Sequence, residues 1–169
     1  MESTARTLPH DIDVERAVLS ALLHDNTAIH AVLNEVKPED FYHPAHQQLY
    51  RSMIALQDAN EPVDLHTLGN ALNEQKLLDA IGGAVYLAEL FDYAATAANV
   101  ETHARIVRDK SVKRGLIAVA TDIVQMGFEE TDEAGRMLDQ AESRIFDIGR
   151  ARGRQTFVSL HGEMEEAID

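Results

Sequence analysis

The sequence predicts an all-α fold: a compact multi-helix globule followed by a long antiparallel helical hairpin. Three observations carry this. Apolar residues recur at intervals of three and four along the whole chain, and β-branched runs with strict alternation are absent. All four prolines (Pro9, Pro38, Pro44, Pro62) fall in the first 62 residues, so the remainder is free of the residue that most reliably breaks helices. The stretch from Val100 to Phe128 keeps helical periodicity without interruption and, at ~1.5 Å per residue, reaches ~40 Å, more than a small globule needs.

The elements follow in order. A first helix is expected over Asp13–Leu23, where Val14, Ala17, Val18, Ala21 and Leu22 form one apolar stripe and Asp11 or Asp13 can accept from its free N–H groups. Asn26 is the expected cap of a short second helix over Thr27–Val36. A third starts at His43-Pro44, because proline suits the first helical position, and carries Leu49, Met53, Ile54 and Leu56 towards Ala59. After the turn Asn60-Glu61-Pro62, Asp64 caps a fourth helix, Leu65–Gln75. Gly82-Gly83 turns the chain into a fifth, Ala84–Phe91. The long sixth helix is followed by the acidic turn Glu129–Glu133 and a seventh over Glu133–Ile148, bearing Met137, Leu138, Ala141, Ile145 and Ile148. A short connection between two long amphipathic helices implies an antiparallel pair.

Residues 149–156 hold two glycines and three arginines without apolar periodicity, and are expected to form a flexible basic linker. Arg150, Arg152 and Arg154 are its candidates for contact with nucleic acid, against a purely solubilising role. Beyond it, Ser159 is the expected cap of a new helix through Leu160, Met164, Ala167 and Ile168, a start that points to a longer polypeptide. The organisation is therefore residues 1–10 as a flexible N-terminus, 11–98 as a helical globule, 99–149 as the hairpin and 150–169 as the linker with the start of a linker helix.

Composition narrows the function. The 169 residues include 29 Asp and Glu against 15 Lys and Arg, a formal net charge of −14, and no cysteine. Thiolate chemistry and disulfides are thereby excluded. The acidity argues against gripping a phosphate backbone by charge, which needs clustered cations. Most of the excess lies in residues 1–100, with 15 acidic and 5 basic side chains. No stretch has the length of a membrane span and no secretory signal is present, so the chain reads as cytoplasmic.

Nor do the residues offer an active site. Lys110-Ser111 has no glycine-rich approach and lies in mid-helix, so it cannot end a phosphate loop. His43 and His46, near Asp40, have a spacing that could offer two imidazoles to a metal, but further ligands are not marked; a helix cap at His43 and a partly packed His46 is the plainer expectation. Arg105, Arg108, Lys110, Lys113 and Arg114 form a basic cluster, expected on a solvated or inter-subunit face rather than on phosphate. What remains is apolar surface beyond what pairing two helices consumes. Leu116 with Ile117, Ile123 with Val124, and Ile145 with Ile148 spread over more than one stripe, and helices apolar on two sides usually bury the second side in another chain or against the globule.

Several segments together resemble one known family. Leu8-Pro9-His10-Asp11-Ile12-Asp13-Val14-Glu15-Arg16-Ala17-Val18-Leu19, Pro38-Glu39-Asp40-Phe41-Tyr42, Glu61-Pro62-Val63-Asp64 and Ile81-Gly82-Gly83-Ala84-Val85-Tyr86-Leu87-Ala88-Glu89-Leu90 are similar to the amino-terminal domain of the bacterial replicative DNA helicase, the DnaB family. Ala97-Ala98-Asn99-Val100 and Ala104-Arg105-Ile106-Val107-Arg108 continue the series.

The resemblance implies a non-catalytic collar domain. Hairpins would pair between subunits, making dimers and a hexamer built as a trimer of dimers, with Leu116, Val119, Val124, Leu138, Ile145 and Ile148 as interface candidates. ATP and Mg2+ would serve a motor domain absent from this chain, which would also hold single-stranded DNA and drive 5′ to 3′ unwinding. The helicase-binding domain of primase, and in some lineages a helicase loader, would dock on the collar, with Tyr86, Ile117 and Ile123 as docking candidates. Gly115 departs from the long helix-forming residue more usual there. A free-standing helical adaptor without a motor is the alternative.

Overall fold

The computed structural model describes residues 6–94, 96–129 and 133–165, with side chains described as far as residue 150. Seven α-helices make up the described residues: α1 (Ile12–His24), α2 (Ile29–Glu35), α3 (Pro44–Asp58), α4 (Leu65–Glu74), α5 (Gly83–Tyr93), α6 (Val100–Glu129) and α7 (Ala134–Glu165). Two short 3-10 turns, Asn26–Ala28 and Pro38–Asp40, were not anticipated. The chain divides into two compact units, residues 1–111 and 112–169, so the first turns of α6 belong with the globule and the hairpin as a compact unit begins at Val112.

Local chemistry fixes the helix starts. Asp11 caps α1 by accepting from the Val14 N–H at 3.1 Å. Asp64 accepts from the His66 and Thr67 N–H groups at 2.8 and 2.9 Å, and the Thr67 hydroxyl accepts in return from the Asp64 N–H at 3.1 Å, a reciprocal box at the head of α4. His43 caps α3 as expected, its Nδ1 accepting from the Ala45 N–H at 3.1 Å. The expected cap Asn26 does something else. Asp25 supplies the cap, accepting from the Thr27 N–H at 3.0 Å, while Asn26 pairs with the Val63 backbone in both directions, at 2.7 and 2.8 Å. Asn26 thus ties the end of α1 to the turn before α4, a long-range bond that outcompetes local capping.

The first unit is built around one core. Val18, Leu19 and Leu22 of α1, Leu49, Tyr50 and Met53 of α3, Leu68 and Leu72 of α4, and Leu87 and Leu90 of α5 are buried together. Val100, Ala104 and Val107 of α6 complete it. Gly82 permits the turn into α5: its φ is +107°, and a Cβ there would lie 2.9 Å from Tyr86 Cβ, so a side chain is excluded both by backbone and by space. His10, in the stretch expected to be flexible, stacks on Tyr42 with ring centroids 4.2 Å apart.

The second unit is the predicted hairpin. Ascending positions of α6 meet descending positions of α7: Gly115 beside Ile148, Asp122 paired with Arg144 at 2.9 Å, and Gly127 beside Met137. The helices are therefore antiparallel. One expectation needs correcting here. The backbone remains helical across residues 149–156 and past Ser159, where an irregular linker and a new helix start were expected. Arg, Ala and Gln are strong helix formers, and two glycines at roughly 1 kcal/mol each do not break a helix already propagating. The side chains of Arg152 and Arg154, residues 130–132 of the acidic turn, and residues 166–169, including Ala167 and Ile168, lie outside the described residues.

Candidate functional site

Two regions carry features that core packing does not explain. The first is in the hairpin. Among its described residues no side chain is buried: all three buried residues of α6 precede Ser111, and α7 has none. Gly115, Val119, Ile123 and Met126 lie towards α7 and are partly covered. At 100° per residue, Ile117, Val124 and Phe128 fall on a separate stripe roughly opposite, and they are 42%, 58% and 84% exposed. On α7, Phe146 lies roughly opposite the seam, and Leu138 and Ile145 lie on its flank. Met137, Ala141 and Ile148 are partly covered, whereas Leu138, Ile145 and Phe146 are 64%, 51% and 64% exposed.

The interface candidates thus separate. Val119 and Ile148 belong to the seam between α6 and α7, whereas Leu116, Val124, Leu138 and Ile145 stand on the outside. Of the docking candidates, Ile117 is outside and Ile123 half-buried at the seam. Phe128 and Phe146, the largest apolar groups on the outer surface, were not among the residues singled out from the sequence. Arg150 is exposed.

The second region lies in the globule around Tyr86. Glu15 and His46 are 2% and 0% exposed. The Glu15 carboxylate accepts from the Tyr42 N–H at 2.5 Å and the His43 N–H at 3.3 Å, and lies 2.5 Å from His46 Nδ1. The other imidazole nitrogen, Nε2, is 2.6 Å from the Tyr86 hydroxyl. Tyr86 is half-buried, and Arg16 sits 5.8 Å from its ring centroid and 5.9 Å from that of Tyr93. A hydrogen bond to Tyr86 raises the Arg16 pKa further above its already high value. Arg16, Tyr86, Glu89, Leu90 and Tyr93 line a cleft of about 60 Å³.

This corrects the expectations for the histidines. His46 is wholly rather than partly buried, and both its nitrogens are committed to Glu15 and Tyr86. His43 uses Nδ1 for its cap and packs 4.9 Å from the His46 ring. Burial, and then the neighbouring His46, lower the His43 pKa below 6.5, in keeping with a neutral ring that accepts. Among the described residues no group of three His, Asp or Glu side chains is placed to hold a metal. The buried pair had a signal in the sequence: Glu15 shares the stripe of Val18, Leu19 and Leu22, and His46 that of Leu49, Tyr50 and Met53, so each polar residue sits at a core register.

Within the basic cluster, Arg108 departs from the expected solvated face. Arg108 Nη1 donates to both oxygens of Asp40, at 2.9 and 3.0 Å, and the Ser111 hydroxyl donates to the same carboxylate at 2.7 Å. Asp40 is nearly buried and also accepts from the Lys37 N–H at 2.8 Å. Arg105 pairs with Glu35 and Glu101. Arg108 thus fastens α6 to the globule, because an acidic residue distant in sequence lies beneath it, whereas Arg105, 60% exposed, stays on the solvated face that was expected. No described helix is long and apolar enough to cross a membrane.

Comparison with known proteins gives consistent matches. Residues 7–109 match the model of the DnaB-like helicase N-terminal domain. The replicative DNA helicase DnaB of Geobacillus stearothermophilus is 40% identical over 164 residues, covering 97% of this chain and 36% of that protein. The chain therefore spans about a third of the length of the curated relatives it matches. The crystal structure of the N-terminal domain of DnaB helicase from Mycobacterium tuberculosis superposes with a TM-score of 0.80 at 37% identity, covering 83% of this chain and 99% of the other. The N-terminal domain of DnaB helicase from Helicobacter pylori, described together with its interactions with primase, shares the fold with a TM-score of 0.60 at 23% identity, over 69% of this chain and 90% of that one.

Proposed function

We propose, since the chain belongs to the family of DnaB-like helicase N-terminal domains, that it performs no chemistry itself and acts as the assembly and partner-docking collar of a replicative DNA helicase. The observation that carries this reading is the lack of any buried side chain among the described hairpin residues from Val112 on, together with seven exposed large apolar ones: Leu116, Ile117, Val124, Phe128, Leu138, Ile145 and Phe146. A two-helix unit cannot form a core on its own, so its outer stripes are suited to a second copy. Residues 99–149 then serve as the dimerisation hairpin, and three such dimers close into a hexameric ring.

Primase, through its helicase-binding domain, is the proposed docking partner, with Tyr86 as a contact on the globule and, on the hairpin, Ile117 outside and Ile123 at the partly covered seam; a helicase loader is the second proposed partner. ATP, Mg2+ and single-stranded DNA belong in this reading to a motor domain outside the chain, reached through residues 150–169. An acidic globule repels free DNA, which leaves the strand to that motor ring. The setting is the replication fork in the cytoplasm. Light scattering over a concentration series tests the assembly claim directly. Mass rising through dimer towards hexamer is the expected result, and a strict monomer at high micromolar concentration would refute it.

A further inference from the structure

The polar chain Glu15, His46, Tyr86 runs from the core to the cleft lined by Arg16, and its outer hydrogen bond can run in either direction. Glu15 accepts a hydrogen bond from the Nδ1–H of His46 in either state. With His46 neutral, Nε2 is an acceptor, so the Tyr86 hydroxyl donates inward. With His46 protonated, Nε2 donates to the Tyr86 oxygen, and the hydroxyl proton is turned outward. Arg16 lies beside Tyr86, its guanidinium 5.8 Å from the ring centroid, and its Nε is buried without a hydrogen-bond partner while the residue lines the cleft. An acceptor entering there would meet two donors in the second state.

We propose that His46 and Glu15 are positioning residues for Tyr86, the protonation of His46 deciding whether the Tyr86 hydroxyl is spent on the imidazole or offered to an acceptor of the docking partner. The proton that reaches Nε2 comes from solvent through the hydroxyl, which passes its own proton inward and takes another. The groups facing the relay are the Glu15 carboxylate and Arg16 from α1, the titratable His43 ring at the head of α3, and Tyr86 with Glu89 and Tyr93 from α5. Asp13 of α1 faces Arg16 and Tyr93. The inference rests on Tyr86 being a docking residue.

Two measurements separate the relay from that reading. Long-range 15N–1H correlation spectra of the 169-residue chain, with the His46 signals assigned by their loss in His46→Gln, follow Nε2 between about pH 8 and about pH 5. Binding of the helicase-binding domain of primase is followed over the same interval for the wild type, His46→Gln and Tyr86→Phe. The expected result is a change of Nε2 from acceptor to protonated, accompanied by about fivefold tighter binding at low pH relative to both variants, the size of one hydrogen bond. An imidazole that keeps one protonation state throughout overturns the relay, and so does a His46→Gln chain that retains the wild-type pH dependence. If His46 titrates while Tyr86→Phe binds as the wild type does at both ends, the proposal fails at its premise, the docking role of Tyr86.

Discussion

Polar substitution of the outer stripe of α6 should dissolve the assembly while leaving the fold intact. Phe128 is 84% exposed and Val124 58%. Full burial of such side chains is worth roughly 1.5–3 kcal/mol each, so at these exposures about 2 and about 1 kcal/mol remain to be gained on association. In a two-fold interface each residue is used twice, which makes about 6 kcal/mol for the pair of positions. Converted at ~1.4 kcal/mol per decade this is ~10⁴ in Kd, and incomplete burial at the interface brings it nearer ~100-fold. The double variant Val124→Gln, Phe128→Gln keeps helix-forming residues, so helicity should be preserved. Sedimentation equilibrium over a concentration series would measure the loss, with far-ultraviolet circular dichroism as the control on folding. An association constant within a few-fold of the wild type would refute the assignment of this stripe to the subunit contact.

Three further outcomes are expected. Asp40→Ala removes the acceptor of Arg108, Ser111 and the Lys37 N–H; losing one partner of a buried pair costs ~3–5 kcal/mol, and the 16% exposure of Arg108 reduces this to about 2–3 kcal/mol. Urea titration of the globule should show it, and a double-mutant cycle with Arg108→Met should give a coupling of at least about 1 kcal/mol. Gly115→Ala should stabilise the hairpin by about 1 kcal/mol, read as a rise in thermal midpoint, because the new Cβ would make an ordinary 3.9 Å contact with Ile148 Cδ1 and the helix loses a glycine. The His43 pKa is lowered in the folded chain, so the unfolded chain binds the proton more readily; the stability His43 contributes is complete above pH 6.5 and declines as pH falls from there through its folded value. His43→Asn, which keeps a cap without titrating, should flatten the stability profile in that window, and an unchanged slope would contradict the assignment.

How much could be read beforehand depended on the range of the interaction. The caps at Asp11, His43 and Asp64, the turn at Gly82 and the two long helices are written in local spacing, because a cap or an apolar stripe involves residues within a few positions of each other. Asn26 defeated the same logic, since its partner Val63 lies 37 positions away. The residues 149–156 misled for another reason: glycine content lowers helix propensity without abolishing it once a helix is running into the segment.

By itself, then, the sequence determined the helical class, the order of the elements, the excess apolar surface of the hairpin and the lack of any phosphate loop or thiolate, all properties of composition and short-range periodicity. Only the tertiary structure decided which stripe of α6 faces α7 and which faces outward, because that choice depends on where the returning helix packs. The fastening of Arg108 and Ser111 to Asp40, and the joining of Glu15, His46 and Tyr86 into one polar chain, were likewise beyond periodicity. Burying a charge or an imidazole is favourable only when a specific partner is brought to it, and those partners come from helices separated by tens of residues, which the folded core alone brings together.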